Sequence, residues 1–414
     1  MTFEPLVSDF YDYASLLTGE EQAALARLRD YLETEVKPVV NAHWEKATMP
    51  EGIMKGLAAT GAFSFAWEET KPFENSAVFR GFVALELARV DASVATLVGV
   101  QNGLAMGSIS VAGSAEQRAE WLPKMAAGDV VGAFGLTEPQ SGSDSAQGLR
   151  TVATRDGDEW VLNGSKRWIG NATFSDITVI WAKDAADGQV KGFIVPTSTP
   201  GYTATKLEGK QSLRIVQNAD ITLENVRVPD SLRLQNANSF RDTAKVLRLT
   251  RAEVAWAAVG NSVGAYEAAL RYAKERVQFG KPIASHQLIQ DLLVKSMGNI
   301  TASLGMVVRV SQMLDDGTQK DDHGTDARDR LVEPRGAGRQ RHRARLRRRA
   351  PLRRRRGAVL LRGDARDEHP HRRAQSHRFR RVRLSPPRGV SRLLAMRYPT
   401  DSAARWLAVL VFFT

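Results

Sequence analysis

Hydrophobic periodicity organises this chain as far as Asp326 and then stops, and that break constrains the possible folds more than any other feature. Residues 335–356 read RGAGRQRHRARLRRRAPLRRRR, a basic stretch with too little apolar surface to offset the entropy of ordering it. Charge divides at the same place. Residues 1–327 hold 32 Lys and Arg against 40 Asp and Glu, a net −8; residues 328–414 hold 26 Arg, no Lys and 6 Asp and Glu, a net +20. The overall +12 therefore joins an acidic body to a basic tail. Selection for charge alone would admit Lys at most such positions, so an all-Arg tail points to another origin.

Within the body the period changes twice. Residues 1–128 read as an N-terminal helical domain. Thr18-Gly-Glu-Glu21 has the form of a capping box, and Leu25, Leu28, Leu32 and Val36 follow at helical spacing. Pro38 predicts a helix end soon after. Further helices are expected near 52–61, 76–89, 93–111 and 115–126. Residues 129–238 read as a middle antiparallel β domain, with strands at Val131–Thr137, Glu159–Ile169, Asp176–Ala182, Gly192–Pro196 and Ala219–Val228. Asp156-Gly157, Asn163-Gly164, Asp187-Gly188 and Pro200-Gly201 supply the turns. Residues 239–326 return to helical period, with amphipathic stretches at 239–276 and 285–315. The fold class expected is α+β: helices, a β domain, then a helical bundle whose second half is disrupted in 327–414.

The length allows two or three domains with sizeable cores. With no cysteine in the chain, disulfides, thiol catalysis and Cys-ligated metal are excluded, and no metal site is expected. The acidic start, without a basic segment before an apolar one, leads us to expect a cytoplasmic protein. No apolar run is read as long enough to span a bilayer, so no membrane partner is expected.

Four motifs carry a family resemblance. Phe134-Gly-Leu-Thr-Glu-Pro-Gln-Ser-Gly-Ser-Asp144 resembles the first signature of the acyl-CoA dehydrogenases. Asn163-Gly-Ser-Lys-Arg-Trp-Ile-Gly-Asn171 follows at the family's distance. Glu224-Asn-Val-Arg-Val-Pro229 resembles the end of its β domain, and Glu275-Arg-Val-Gln-Phe-Gly-Lys-Pro282 with His286-Gln287 a segment of its C-terminal bundle. The resemblance covers residues 1–326 and is greatest to glutaryl-CoA dehydrogenase and short-chain acyl-CoA oxidase-like members. Singly, Trp168 reads as a core aromatic, Arg276 as a solvated helix charge and Gly142 as a turn; their joint order and spacing outweigh that reading.

The resemblance implies FAD as cofactor, an acyl-CoA substrate, an electron-transfer flavoprotein as acceptor and a homotetramer. A flavin ring needs backbone amides beside it to hold the negative charge that grows on reduction. The strand at Phe134 would supply them, with Leu136 and Thr137 nearest the ring. Trp168 would pack beside the isoalloxazine, with Ile169 and Gly170 following it. Family members often carry a hydroxyl at the Gly170 position; here a backbone amide remains. Ser143 and Arg251 would contact the substrate. Arg276 and Phe279 would reach the FAD of a neighbouring subunit, supported by Gln287; a guanidinium fork suits a pyrophosphate. His286 is read as a helix-surface neighbour of Gln287.

Family members remove the acyl α-proton with a Glu carboxylate whose pKa burial has raised. That Glu lies in a late Tyr-Glu-Gly motif, absent here, or in a minority before the residue matching Arg251, where this chain has Thr250. Glu253 is three residues out of register and is read as a structural carboxylate. No catalytic residue is therefore assigned. Glutaryl-CoA dehydrogenases hold the distal carboxylate with an Arg whose position here is Ala95, which favours a short monocarboxylic acyl-CoA.

The tail has a reading-frame explanation. If each residue uses the last base of one codon and the first two of the next, Gly338–Arg348 is compatible with an original Gly-Gly-Asn-Gly-Ile-Val-Leu-Asp-Tyr-Asp-Val, the family's glycine motif. Leu360–Glu368 is likewise compatible with a run containing Tyr-Glu-Gly, its Glu codon straddling Arg362 and Gly363. Neither Arg362 nor Gly363 can act as a base. Two other readings stand beside an impaired dehydrogenase: a non-catalytic flavin- or CoA-binding protein, and a nucleic-acid-binding protein using the Arg tail. The tail lacks Lys and interleaved aromatics, so no specific nucleic acid is expected.

Overall fold

The computed structural model describes residues 6–318; the tail assigned to 327–414, with its frame-shifted motifs, lies outside the described residues. The N-terminal part comprises α1 (Gly19–Tyr31), a π-helical stretch (Leu32–Val36), α2 (Lys37–Lys46), α3 (Ile53–Ala59), α4 (Ala77–Val90), α5 (Ala92–Val98), a second π-helical stretch (Gly99–Met106), α6 (Gly107–Ala112) and α7 (Ala115–Ala126). Thr18 does start α1 with a capping box: its Oγ1 accepts from Glu21 N at 3.3 Å, and Glu21 Oε2 accepts from Thr18 N at 2.8 Å. The other oxygen of Glu21 accepts from Ser76 N and Oγ at the start of α4, so one carboxylate caps two helices.

Pro38 does not end its helix. The π stretch before it opens the turn, Lys37 N bonds back to Leu32 O, and the helix continues to Lys46. The apolar-run expectation also needs correction. Ala92–Ala112 is long and apolar enough to cross a membrane by length and composition, but 67% of its window is buried inside the protein.

The β domain holds β1 (Gly132–Gly135), the single turn α8 (Ser145–Gly148), β2 (Val152–Asp156), β3 (Glu159–Ile169), β4 (Ile177–Asp184), β5 (Val190–Pro196), β6 (Tyr202–Lys206) and β7 (Ala219–Pro229). They form one sheet in the order β1-β4-β2-β3-β7-β6, with β5 on β4. The sheet is mixed rather than antiparallel: β4 runs parallel to both β1 and β2. Five strands fall where the β-rich runs between turn signals place them. The missed strands β2 and β6 are short and mostly polar, and β6 closes one edge of the sheet.

The two long helices α9 (Phe240–Glu275) and α10 (Gln287–Asp315) are joined by a hairpin of β8 (Val277–Gln278) and β9 (Lys281–Pro282). α9 crosses α4 at backbone contact. A Cβ at Gly260 would stand 2.2 Å from Leu85 O, and one at Gly264 would stand 2.0 Å from Arg89 O. Trp256, 1% exposed, lies over Gly81 and donates from Nε1 to Ser311 Oγ on α10 at 2.9 Å. Arg89 on α4 joins Glu86, Glu33 and Glu267, which ties α4 to the first π stretch and to α9. These contacts fix the middle of α9 against α4 and α10.

Candidate active site

The site has a β side and a helical side. On the β side, β3 carries a bulge between Lys166 and Ile169, and Trp168 sits in it at φ 63°. A bulge re-aims a side chain that regular pleating would send elsewhere. The indole is 54% exposed, and Asn218 Nδ2 donates to Trp168 O at 3.0 Å. Thr137 O accepts from Arg167 N at 2.8 Å, so the strand after β1 is bound directly beside the bulge. Leu136 is buried there, and its carbonyl accepts from Lys166 Nζ at 3.4 Å.

Lys166 is fully buried and also donates to Trp181 O at 2.7 Å and Glu138 Oε1 at 2.8 Å. Burial pushes its ammonium down to about 8, against the pull of Glu138, so it is still protonated at neutral pH. Burial raises the Glu138 carboxyl, but Lys166 and Thr151 outweigh it and hold that pKa below the usual range. The pair locks the backbone of Leu136 to Glu138 under Trp168. Phe134 and Ile169 turn their side chains into the core, Phe134 against Trp181 at 6.4 Å between ring centroids, so only their backbones face the platform. Gly170 abuts the helical side: a Cβ there would lie 3.0 Å from Val100 Cγ2. An exposed indole on a rigid strand, flanked by backbone and a glycine, fits a planar ring such as a flavin.

On the helical side is a cavity of about 400 Å³ between α4, α5, the second π stretch and α9. Its walls are apolar at Val83, Leu87, Ala95, Val100 and Ala257, and Ala95 leaves no cation at that point. Thr250 and Glu253 both line it. Glu253, expected to be a structural carboxylate, lines the cavity on the same helix as Thr250. Positions three apart on a helix share a face, and Glu253 makes no hydrogen bond or ion pair among the described residues. Burial pushes its carboxyl up to about 7, with Arg80 pulling the other way. Arg80 itself donates to Asn75 O and Oδ1. Thr250 turns its hydroxyl back to Leu247 O at 3.1 Å.

The remaining expected residues fall elsewhere. Arg251 is exposed and does not line the cavity, and Ser143 is exposed on the loop after Ser141. Arg276, Phe279 and Gln287 are exposed on the α9–α10 hairpin, Phe279 by 94%. At 1.5 Å per residue, Arg276 lies roughly 39 Å along α9 from Thr250, so this group is separate from the cavity. His286 is not on the helix surface: it is the N-cap residue of α10, with its ring edge-on to Phe279 at 6.0 Å. Sequence reasoning missed Lys166, Glu138 and Arg80. A charge inside an alternating strand was the available signal for Lys166.

Comparison with known proteins places this arrangement. Residues 18–129, 133–226 and 240–328 match the N-terminal, middle and C-terminal domains of acyl-CoA dehydrogenase. A probable acyl-CoA dehydrogenase of Bacillus subtilis (strain 168) is 32% identical over 305 residues, 72% of this chain and 80% of that protein. The human mitochondrial short-chain specific acyl-CoA dehydrogenase is 33% identical over 279 residues, 66% of this chain and 68% of its own. Glutaryl-CoA dehydrogenase from Mycobacterium smegmatis superposes with a TM-score of 0.72 at 35% identity, covering 77% of this chain and 82% of that one. The same enzyme has been solved in complex with FADH2, at a TM-score of 0.70, 34% identity and coverage of 75% and 80%. The chain belongs to the acyl-CoA dehydrogenase family.

Proposed function

We propose that this chain is an FAD-dependent acyl-CoA dehydrogenase acting on a short-chain monocarboxylic acyl-CoA, with an impaired proton-transfer step. The observation that carries the substrate class is the cavity: apolar walls, with Ala95 where a dicarboxylate would need a cation. Trp168, Leu136, Thr137 and Gly170 would hold the flavin ring, and Ser143 and Arg251 the acyl-CoA. When bound, FAD supplies the acceptor for a hydride from the β-carbon. The exposed group Arg276, Phe279 and Gln287 is too far along α9 to serve this chain's own cavity, which supports its reaching a neighbouring subunit's cofactor. An electron-transfer flavoprotein as acceptor, a homotetramer and a cytoplasmic location complete the reading.

Impairment follows from Thr250, whose hydroxyl is a far weaker base than a carboxylate, and from the loss of Tyr-Glu-Gly. The half-bundle bears on FAD retention and assembly as well. Among the described residues α9 and α10 leave Val254, Val294 and Met306 exposed, with an apolar groove between the helices lined by Ala255, Val259 and Val310. The test is purification of the full chain, quantification of FAD by absorbance, and assay of butyryl-CoA oxidation to crotonyl-CoA. Binding of FAD with slow turnover is expected. Rapid turnover with one FAD per chain would overturn the impairment. FAD and acyl-CoA binding with no turnover at all would favour the non-catalytic alternative.

A further inference from the structure

We infer that Glu253 is the proton-accepting carboxylate of this cavity, taking the place of the glutamate that the chain lacks at Thr250. The inference rests on the acyl-CoA reading above and adds the residue that performs its first step.

The argument is geometric. Thr250 and Glu253 stand one turn apart on the same face of α9, where Cβ atoms are about 5–6 Å apart. Both reach Gly103 on the facing π stretch. A Cβ on that glycine would lie 3.0 Å from Thr250 Cγ2 and 3.3 Å from Glu253 Oε2. The missing side chain is what lets the carboxylate in. Three residues earlier on the same stretch, Val100 lines the cavity and abuts Gly170 beneath the indole platform. Val100 therefore stands between the cavity that Glu253 lines and Gly170 of the β platform.

The surroundings of Glu253 suit a base rather than a brace. Glu138 and Glu21 are buried and fully hydrogen-bonded, whereas Glu253 is part-exposed at the cavity wall and has no hydrogen-bond partner among the described residues. Arg80 on α4 is the one charged residue that faces it among those lining the cavity; the polar neighbours Thr96, Asn102, Thr250 and Asn261 are neutral. Its raised pKa places it close to neutral pH, where a general base works best.

The step balances. Glu253 takes the α-proton and becomes a carboxylic acid. The electron pair left on the α-carbon is delocalised into the thioester carbonyl. It either recaptures a proton or becomes the Cα=Cβ bond as the β-hydrogen leaves with its pair to the oxidised flavin.

The test reads the proton step alone. Full-length protein is loaded with FAD, and butyryl-CoA is incubated with it in D2O with the flavin held reduced. Deuterium at C2 is followed by mass spectrometry. Wild type is expected to exchange, with a rate that levels off above about pH 7. Glu253→Gln should lose at least about tenfold, and Glu253→Asp should keep part of the rate. The double variant Thr250→Glu/Glu253→Gln should regain exchange, which shows that the cavity still folds and binds. Equal exchange by wild type and Glu253→Gln would overturn the inference, as would exchange that appears only when Thr250→Glu is introduced; in both cases the acyl-CoA reading survives. If neither Thr250→Glu nor wild type exchanges, and butyryl-CoA does not bind in a direct titration, the acyl-CoA reading fails and this inference with it.

Discussion

Glu138 is buried beneath the β side and Glu253 is part-exposed at the wall of the helical cavity, and the fold treats the two carboxylates in opposite ways. Glu138, on the β side, accepts from Lys166 Nζ, Arg150 N, Thr151 N and Thr151 Oγ1, and its pKa is held down. Glu253, on the helical side, has Arg80 to favour its charge, but burial outweighs it and drives its pKa up to about 7. A buried charge with full partners rigidifies its surroundings, whereas one without them sits near the midpoint of its titration. The β side is held rigid by that pair, and the proposed proton acceptor on the helical side is left without a hydrogen-bond partner among the described residues.

The largest effect should come from breaking the satisfied pair. Lys166→Met leaves Glu138 buried against an apolar neighbour, at about 3–5 kcal/mol of stability. Chemical denaturation should show that loss, together with FAD release at concentrations where wild type retains it. A change below about 1 kcal/mol would mean that the pair is replaceable and the contrast between the two carboxylates overdrawn.

Next comes the unsatisfied partner. The folded pKa of Glu253 lies above its unfolded value of 4.5, so the fold binds the extra proton more tightly. That contribution is fully present below about pH 4.5 and is lost as pH rises through about 7. Glu253→Gln removes the titration. It should therefore stabilise the protein at pH 8 by at most about 3 kcal/mol and change little at pH 4.5 to 5. Thermal unfolding at the two pH values measures this, and a destabilised variant at pH 8 would mean that Glu253 has a structural partner after all.

A smaller effect is expected at the contact between the two sides. Gly170→Ala places a Cβ 3.0 Å from Val100 Cγ2, so Val100 must give way. A cost of about 1–2 kcal/mol and weaker FAD binding in a fluorescence titration are expected. Unchanged binding would show that the wall between platform and cavity is soft. The smallest effect lies furthest out. Met306, 67% exposed, should tolerate Lys with a change within about 0.5 kcal/mol, while light scattering should show less self-association because an exposed apolar side chain has gone.

Much of the architecture was legible without coordinates. The β-rich run Glu159–Ile169 and the capping box at Thr18 both marked their elements correctly, since each depends on local pattern. The parallel pairing of β1 with β4 was not legible, because it is made by residues 45 apart and no local pattern encodes the direction of a distant partner. Pro38 misled for a related reason: a π turn upstream relieved the clash that would have ended the helix. The residues proposed to face the flavin were named through motif order, yet the locking role of Lys166 emerged only once Leu136 O, Glu138 and Trp181 O were seen to converge on its ammonium.

The sequence by itself determined the order helices, sheet, helices, the charge break after residue 327, the absence of cysteine chemistry and the residue type at Ala95 and Thr250. These are composition and short-range pattern, and they do not depend on where distant segments come to rest. The tertiary structure decided which of many carboxylates matters. Glu253 is one of 46 acidic residues, and nothing in its immediate neighbours sets it apart. Its environment is made by α4, the second π stretch and α9 together. Burial and distance to charge, which fix a pKa, exist only after those elements pack.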